Sequence, residues 1–372
     1  MKVTASRLVG GLRATCAAAV LSLLAVAAAW TQESQQAPAV AEALTQAVRH
    51  IKAGESEAAL DLVRPLAEEG DPVAQYLLGG MHLQGFGVPI DAEVAVEWIR
   101  RAADQGFGQA QLLLANLYSA GRDVVQDSEE AAYWYRRAAN LGLAEAQNSL
   151  GVALGAGDGV EKDEVEAAQW YRRAAEQGMV AAQTNLGLAL SQGLGVKKDL
   201  PQAVAWLRRA AEQGSGWAQY HLGNAYRSGG GVEKDAVQAA LWWRKAAEQG
   251  YAYAENNLGD VYARGQGVGR DDGRAVFWFA SALRHGYTDA AAPLKRVLRN
   301  LPSKRLDADT AVRNAPAPDA VEIRTAVPRE RAYELSRTGD WIEAYFAEGH
   351  TVGYIHVDAL AATQASRRNR SR

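Results

Sequence analysis

Apolar residues in this chain fall into two alternating helical patterns, and the pair of patterns returns every 36 residues. Gly70, Gly106, Gly142, Gly178, Gly214, Gly250 and Gly286 mark the period. An alanine lies four residues and a leucine eight residues after each, from Ala74 and Leu78 to Ala290 and Leu294. A spacing of four places these side chains on one face of a helix. That helix stops at Gly85, Gly121, Gly157, Gly193, Gly229 or Gly265, because glycine takes the left-handed conformation of a helix end at no steric cost. A short turn such as Gly159-Val-Glu-Lys162 then leads to Asp91, Asp127, Asp163, Asp199, Asp235 or Asp271. The carboxylate of each can accept from the free amides that open a second helix. Glu130, Glu166, Gln202 and Gln238, three residues on, are placed for a reciprocal cap, which Val94 and Arg274 cannot make. The second helix carries Trp98, Trp134, Trp170, Trp206, Trp242 or Trp278, followed in most units by an Ala-Ala pair.

A single helix pair of this size cannot hide its own apolar stripe, so identical pairs must stack, giving a solenoid with a continuous core. The expected fold is mainly α: a right-handed α-solenoid of helix-pair repeats, with small alanines allowing close approach and the tryptophans filling the core. The register runs without insertion through six full units and a final partial one over residues 70–297, after a degenerate helix pair at 38–69 that serves as a cap.

Beyond Arg299 the pattern changes. Residues 298–304 read as a linker, and from 305 to 362 Val312, Ile323, Arg331-Ala-Tyr-Glu-Leu335, Trp341-Ile-Glu-Ala-Tyr-Phe346 and Gly353-Tyr-Ile-His356 alternate as about five short strands of a small all-β barrel. Residues 363–372 form a basic tail with four arginines in Arg367-Arg-Asn-Arg-Ser-Arg372.

At the other end, Lys2, Arg7 and Arg13 precede the uncharged stretch Ala14–Ala29, the layout of a secretory signal peptide over residues 1–29. The run is short for a membrane span. This predicts a periplasmic or secreted protein that meets a membrane only through an uncleaved leader or the basic tail. Cys16, the single cysteine, lies in the leader, so the mature chain has neither disulfides nor thiol chemistry. Without the three leader charges, 37 basic residues face 43 acidic ones, a net charge of −6 that argues against nucleic acid as partner.

No catalytic constellation is visible. His50, His82, His221, His285, His350 and His356 lack metal-ligand spacing, and the glycine-rich turns lack the Lys-Ser/Thr of a phosphate loop. The chain is therefore read as a non-enzyme without metal or cofactor.

The motif Ala-x-x-x-Leu-Gly-x-x-Tyr-x-x-Gly, then Gly-Val-x-x-Asp, then Ala-x-x-Trp-x-x-Arg-Ala-Ala-x-x-Gly, resembles the Sel-1-like repeats, relatives of tetratricopeptide repeats. The resemblance implies first helices that line a concave groove and a role as adaptor or scaffold. Positions three, six, ten, thirteen and fourteen of each unit would face that groove. In early units these include Val73, Tyr76, Gln109, Asn116, Glu145, Asn148 and Thr184. In later units they are Trp217, Tyr220, Asn224, Arg227, Tyr253, Asn256, Asp260 and Arg264. The later set joins aromatic anchors to amides that can pair with a peptide backbone, and is the candidate site for a protein or peptide partner.

The C-terminal segment is similar to the bacterial Src-homology-3-like domain at Val312-Arg-Asn-Ala-Pro316, Gly339-Asp-Trp341 and Gly353-Tyr-Ile-His356. It departs from that family at Ala315 and around Arg329-Glu-Arg331. This implies contact with cell wall or protein, with Trp341, Tyr345 and Tyr354 as a contact surface if they are not core. Two roles follow: an exported scaffold binding its partner in the groove, or a peptidoglycan-associated regulator or enzyme accessory that recognises its target through the barrel. A hydrolase, suggested by some repeat relatives, finds no nucleophile here.

Overall fold

A computed structural model describes residues 38–357 apart from 122–123 and 307; the leader and the basic tail lie outside the described residues. The chain divides into two compact units. The first holds residues up to Ala182 with Leu194–Val196, and the second holds Gln183–Gly193 and everything from Lys197 onward.

The first unit contains α1 (Pro38–Ala53) and α2 (Ser56–Glu68), then the repeat pairs α3 (Pro72–Gln84) and α4 (Ala92–Asp104), α5 (Gly108–Ala120) and α6 (Ser128–Asn140), and α7 (Ala144–Ala156) and α8 (Glu164–Glu176). The boundary falls within α9 (Val180–Gln192). The second unit continues with α10 (Leu200–Glu212), α11 (Gly216–Ser228), α12 (Ala236–Ala247), α13 (Ala252–Arg264), α14 (Asp272–Arg284) and a short α15 (Ala291–Leu298).

Helix ends follow the sequence pattern. Gly85, Gly121, Gly157, Gly229 and Gly265 close their helices in the left-handed region. Asp91, Asp127, Asp163, Asp199, Asp235 and Asp271 each accept from the amides of the following first turn. The reciprocal cap does not form. The aspartate amides already donate to the preceding helix, as from Asp127 N to Tyr118 O at 3.1 Å and from Asp163 N to Leu154 O at 2.9 Å. Glu130 and Glu166 instead accept from the indole N–H of Trp134 and Trp170, both at 3.0 Å. Arg136 also reaches Glu166, and its hydrogen bond holds that carboxyl below the usual range.

Units are joined by two devices. The second glycine of the turn lies against the backbone that opens the second helix of the preceding unit. A Cβ on Gly159, at φ 66°, would stand 1.8 Å from Ser128 O. The other device is a buried glutamine ladder. Gln75, Gln111, Gln147 and Gln219 donate to Ala67, Ala103, Ala139 and Ala211 O at 3.0–3.2 Å, satisfying carbonyls at the end of the preceding second helix. Their side-chain oxygens accept from a glutamine 30 residues on: Gln105 to Gln75 and Gln177 to Gln147, both at 2.8 Å, and Gln249 to Gln219 at 2.9 Å. Leu141 occupies the donor position for Gln111, whose buried Oε1 has no partner. In the last full unit the pair changes: buried Glu255 accepts from Ser281 Oγ at 2.6 Å and pairs with His285 Nδ1 at 2.9 Å.

A six-stranded antiparallel sheet follows in the order β1-β4-β5-β6-β2-β3. Its strands are β1 (Ser303–Arg305), β2 (Thr310–Arg313), β3 (Glu322–Ala326), β4 (Arg331–Thr338), β5 (Trp341–Phe346) and β6 (Thr351–His356). It begins inside the stretch read as a linker. Val312, Ala326, Ala332, Ile342, Ala344, Phe346 and Ile355 build its own core. The sheet also packs on the helices: Tyr345 lies in one cluster with Val276 and Phe279 of α14, and Tyr333, Leu335 and Val352 flank it. Arg284 donates to His350 O at 2.7 Å.

Two outcomes test the joints between units. Gly159→Ala is expected to cost about 3 kcal/mol or more through clash and left-handed strain, whereas Gly142→Ala, at φ 92° with open space around it, costs about 1–2 kcal/mol. Denaturant melts give both values. Leu141→Gln, supplying the missing donor to Gln111 and removing a leucine that is 54% exposed, should stabilise by about 1 kcal/mol in the same measurement.

Candidate functional site

Within the second unit, Trp217, Tyr220, Asn224 and Arg227 follow one face of α11. Tyr253, Asn256, Asp260 and Arg264 do the same on α13, the first helix of the next repeat. Ser215 fixes the start of α11 by accepting from Ala218 N at 3.2 Å. The aromatic members meet. Trp217 stacks on Tyr220 with centroids 5.6 Å apart, and Tyr253 lies 5.9 Å from Tyr220 and 6.5 Å from Trp217. Trp217 is 38% and Tyr253 50% exposed, large areas for such side chains.

Two further rings complete the cluster. His221 lies edge-on to Trp217 at 4.6 Å, and Tyr287 stands 5.0 Å from Tyr253. His221 reads in the sequence as an ordinary packing or surface residue, and its adjacency to Tyr220 is the one signal that it belongs here. Tyr287 directly follows a period-marking glycine, as Phe107 and Tyr251 do. That position suggests packing rather than exposure.

The polar members separate from the rings. Asn224 accepts from Asn257 at 3.3 Å, Arg264 pairs with Asp260 at 2.8 Å, and Arg227 lies over Trp243 at 5.4 Å. Arg227, Asn257, Asp260 and Trp243 line a cavity of about 30 Å³. Asn256 Oδ1 is buried without a partner. The eight residues therefore form an aromatic patch and a neighbouring polar one.

In the first unit the corresponding residues differ. Val73 and Tyr76 cannot face a groove: they belong to the apolar core with Leu44, Val48 and Val63, and Tyr76 meets Phe107 edge-on at 5.2 Å. Asn116 accepts from Tyr135 Oη at 2.8 Å. Gln109 is half-buried and Glu145 exposed. Asn148 lines a cavity of about 220 Å³ with Ser119, Ser128, Tyr135 and Ser149. Thr184, in the second unit, is buried.

On the sheet, Tyr345 is not a contact residue. It is 1% exposed beneath the helices, where burial raises its hydroxyl to about 12 and its oxygen pairs with His350 Nδ1 at 2.8 Å. Trp341 and Tyr354 remain half-buried, Trp341 edge-on to His356 at 5.3 Å and Tyr354 3.5 Å from Glu343.

Among the described residues, no group of three His, Cys, Asp or Glu could hold a metal ion, and no helix is long and apolar enough to cross a membrane.

The stacked helix pairs, held in register by turn glycines and buried glutamines, define an α-solenoid repeat protein. The Sel1 repeat model matches residues 72–107, 108–143, 144–179, 180–215, 218–251 and 252–287, and the chain belongs to the Sel1 repeat family. Proteins of this family are in general scaffolds for protein interaction. The chain is similar to c5321, a protective antigen present in uropathogenic Escherichia coli strains displaying an SLR fold. The two are 37% identical with a TM-score of 0.61, over 65% of this chain and 52% of that one. This chain thus spans about half the length of that antigen. It is also similar to a Sel1 repeat protein from Oxalobacter formigenes, at 34% identity and TM-score 0.60, over 64% of this chain and 98% of that one. Comparison with curated proteins found no match.

Burial lowers the His221 imidazole from 6.5 to about 4, and its Nε2 has no partner. The unfolded chain takes up a proton here between pH 6.5 and 4 that the folded chain refuses. This contribution to stability is therefore complete above pH 6.5 and is lost as pH falls to 4. His221→Leu should flatten the fall in denaturation midpoint across that window, as read by helical circular dichroism.

Proposed function

We propose that this protein is an exported interaction scaffold, periplasmic or secreted, that holds a protein or peptide segment against α11 and α13. One observation carries the reading. Trp217 and Tyr253 are exposed and contiguous across two successive repeats, whereas the same positions in earlier units hold Val73, Gln109, Glu145 and Ala181. Exposed aromatic clusters of this kind supply the anchor of a protein interface, and the adjoining amide of Asn224 suits a peptide backbone. The leader at residues 1–29 supports export.

Two substitutions test the site. Trp217→Ala with Tyr253→Ala should reduce recovery of the native partner by about tenfold or more in a pull-down from the source organism, with helical signal unchanged. Equal recovery by wild type and variant rejects it.

A second reading places recognition on the sheet, taken as a bacterial Src-homology-3-like domain that holds the protein at the cell wall. Trp341 and Glu343 on β5 lie opposite His356 and Tyr354 on β6, giving a half-exposed aromatic strip that supports this role. Trp341→Ala with Tyr354→Ala should then release the full chain from purified sacculi, and undiminished sedimentation would rule the strip out.

A further inference from the structure

In every repeat unit but the last, the face of the repeat tryptophan is covered by a cation three residues along the same helix. Arg101 stands over Trp98 at 4.4 Å, Arg173 over Trp170 at 4.3 Å, Arg209 over Trp206 at 4.5 Å and Lys245 over Trp242 at 4.1 Å. The cluster of Trp217, Tyr220, Tyr253 and Tyr287 is different. Among the described residues no lysine or arginine lies over any of these four rings. The two arginines of the candidate site are engaged elsewhere, Arg227 over Trp243 and Arg264 on Asp260. Three electron-rich rings 5.6–6.5 Å from one another, with Tyr287 5.0 Å from Tyr253 and no resident cation, make a receptor for a positive group. The charges around it favour the same occupant. His221, at the edge of Trp217, is neutral at neutral pH, and the Tyr287 hydroxyl is raised by burial first and by the charge of nearby Asp289 second.

We propose that the arginines of the chain's own segment Arg367-Arg-Asn-Arg-Ser-Arg372 occupy this aromatic cluster. The segment lies outside the described residues. Charge complementarity selects it. Without the leader and these four arginines, the chain has 33 basic against 43 acidic residues, a net charge of −10, so this is a dense positive segment on an acidic protein.

Geometry permits the contact. The bond from Arg284 to His350 O places the start of β6 beside the end of α14, three residues before Tyr287. From there β6 runs six residues, about 20 Å. The nine residues between Val357 and Arg367 span up to about 30 Å, enough to return. The contact would make the segment an internal competitor that a partner must displace. It stands apart from the partner reading, because self-occupancy is measured with no partner present.

A labelled peptide of residues 358–372 is titrated by fluorescence anisotropy against three full-length proteins. These are wild type, a variant with Arg367, Arg368, Arg370 and Arg372 all changed to Gln, and that variant carrying Trp217→Leu and Tyr253→Leu as well. The leucines keep apolar bulk but remove the ring faces, and circular dichroism checks that the helices remain. The peptide is expected to bind the glutamine variant, to bind wild type about tenfold more weakly because the tethered segment competes at high effective concentration, and to lose binding to the leucine variant. Absence of binding to the glutamine variant overturns the proposal. Equal binding to wild type and glutamine variant also overturns it, leaving the cluster free for a basic segment of another protein. Binding that survives the leucine changes with helices intact places the arginines elsewhere and overturns it too.

Discussion

The architecture depends on how closely one helix pair can approach the next. A Cβ on Gly159 would stand 1.8 Å from Ser128 O and one on Gly195 the same distance from Glu164 O, so the turn of one repeat is seated directly on the backbone of its predecessor. Only a residue without a side chain fits there, and both glycines have positive φ. The seat fixes where the second helix of one unit begins relative to the turn of the next. The 36-residue period therefore tolerates no insertion through the array. Burial of the alanine and leucine stripe supplies the driving force, but it is not directional. The glycine seat and the glutamine ladder give it register.

The array was legible in the sequence because its signals are local. A glycine stop, an aspartate start and a spacing of four are each decided within one turn, and all appear where the sequence puts them. The features that escaped depend on partners far along the chain. Glu130 and Glu166 have the right spacing for a reciprocal cap, but the aspartate amide they would serve is taken by a carbonyl nine residues back, so they turn to the indole of the following tryptophan. Gln75 and Gln105 are plain in the sequence. Their pairing is not, because a 30-residue separation has meaning only once two helices are antiparallel.

The candidate site was half legible. Positions three and six of the repeat locate Trp217, Tyr220 and Tyr253 on adjoining helix faces, and the rings do meet. Applied to Val73 and Tyr76 the same rule fails, because those residues lie in the apolar core shared with α1 and α2. Tyr345 fails for a related reason. Strand alternation puts it on the outer face of β5, opposite Ile342, Ala344 and Phe346, but α14 covers that face. The sheet and the last helices are one packed body, so a substitution beneath Tyr345 disturbs both.

The exchange of Gln–Gln for Glu255–His285 at the last full unit bears on how such an array changes length. Internal units share one pairing chemistry: most tie their own two helices with a Gln–Gln bond and meet the preceding unit through the same glutamine, which donates to a backbone carbonyl. Unequal recombination that duplicates or drops an internal unit therefore leaves matching surfaces at the new seam. The terminal unit is keyed differently: Glu255 stands where the other units have a glutamine, its carboxylate has no N–H to donate to the preceding helix end, and it is held instead by Ser281 and His285 of its own unit. The repeat number can drift over generations, while the helix that carries the sheet keeps its place at the end.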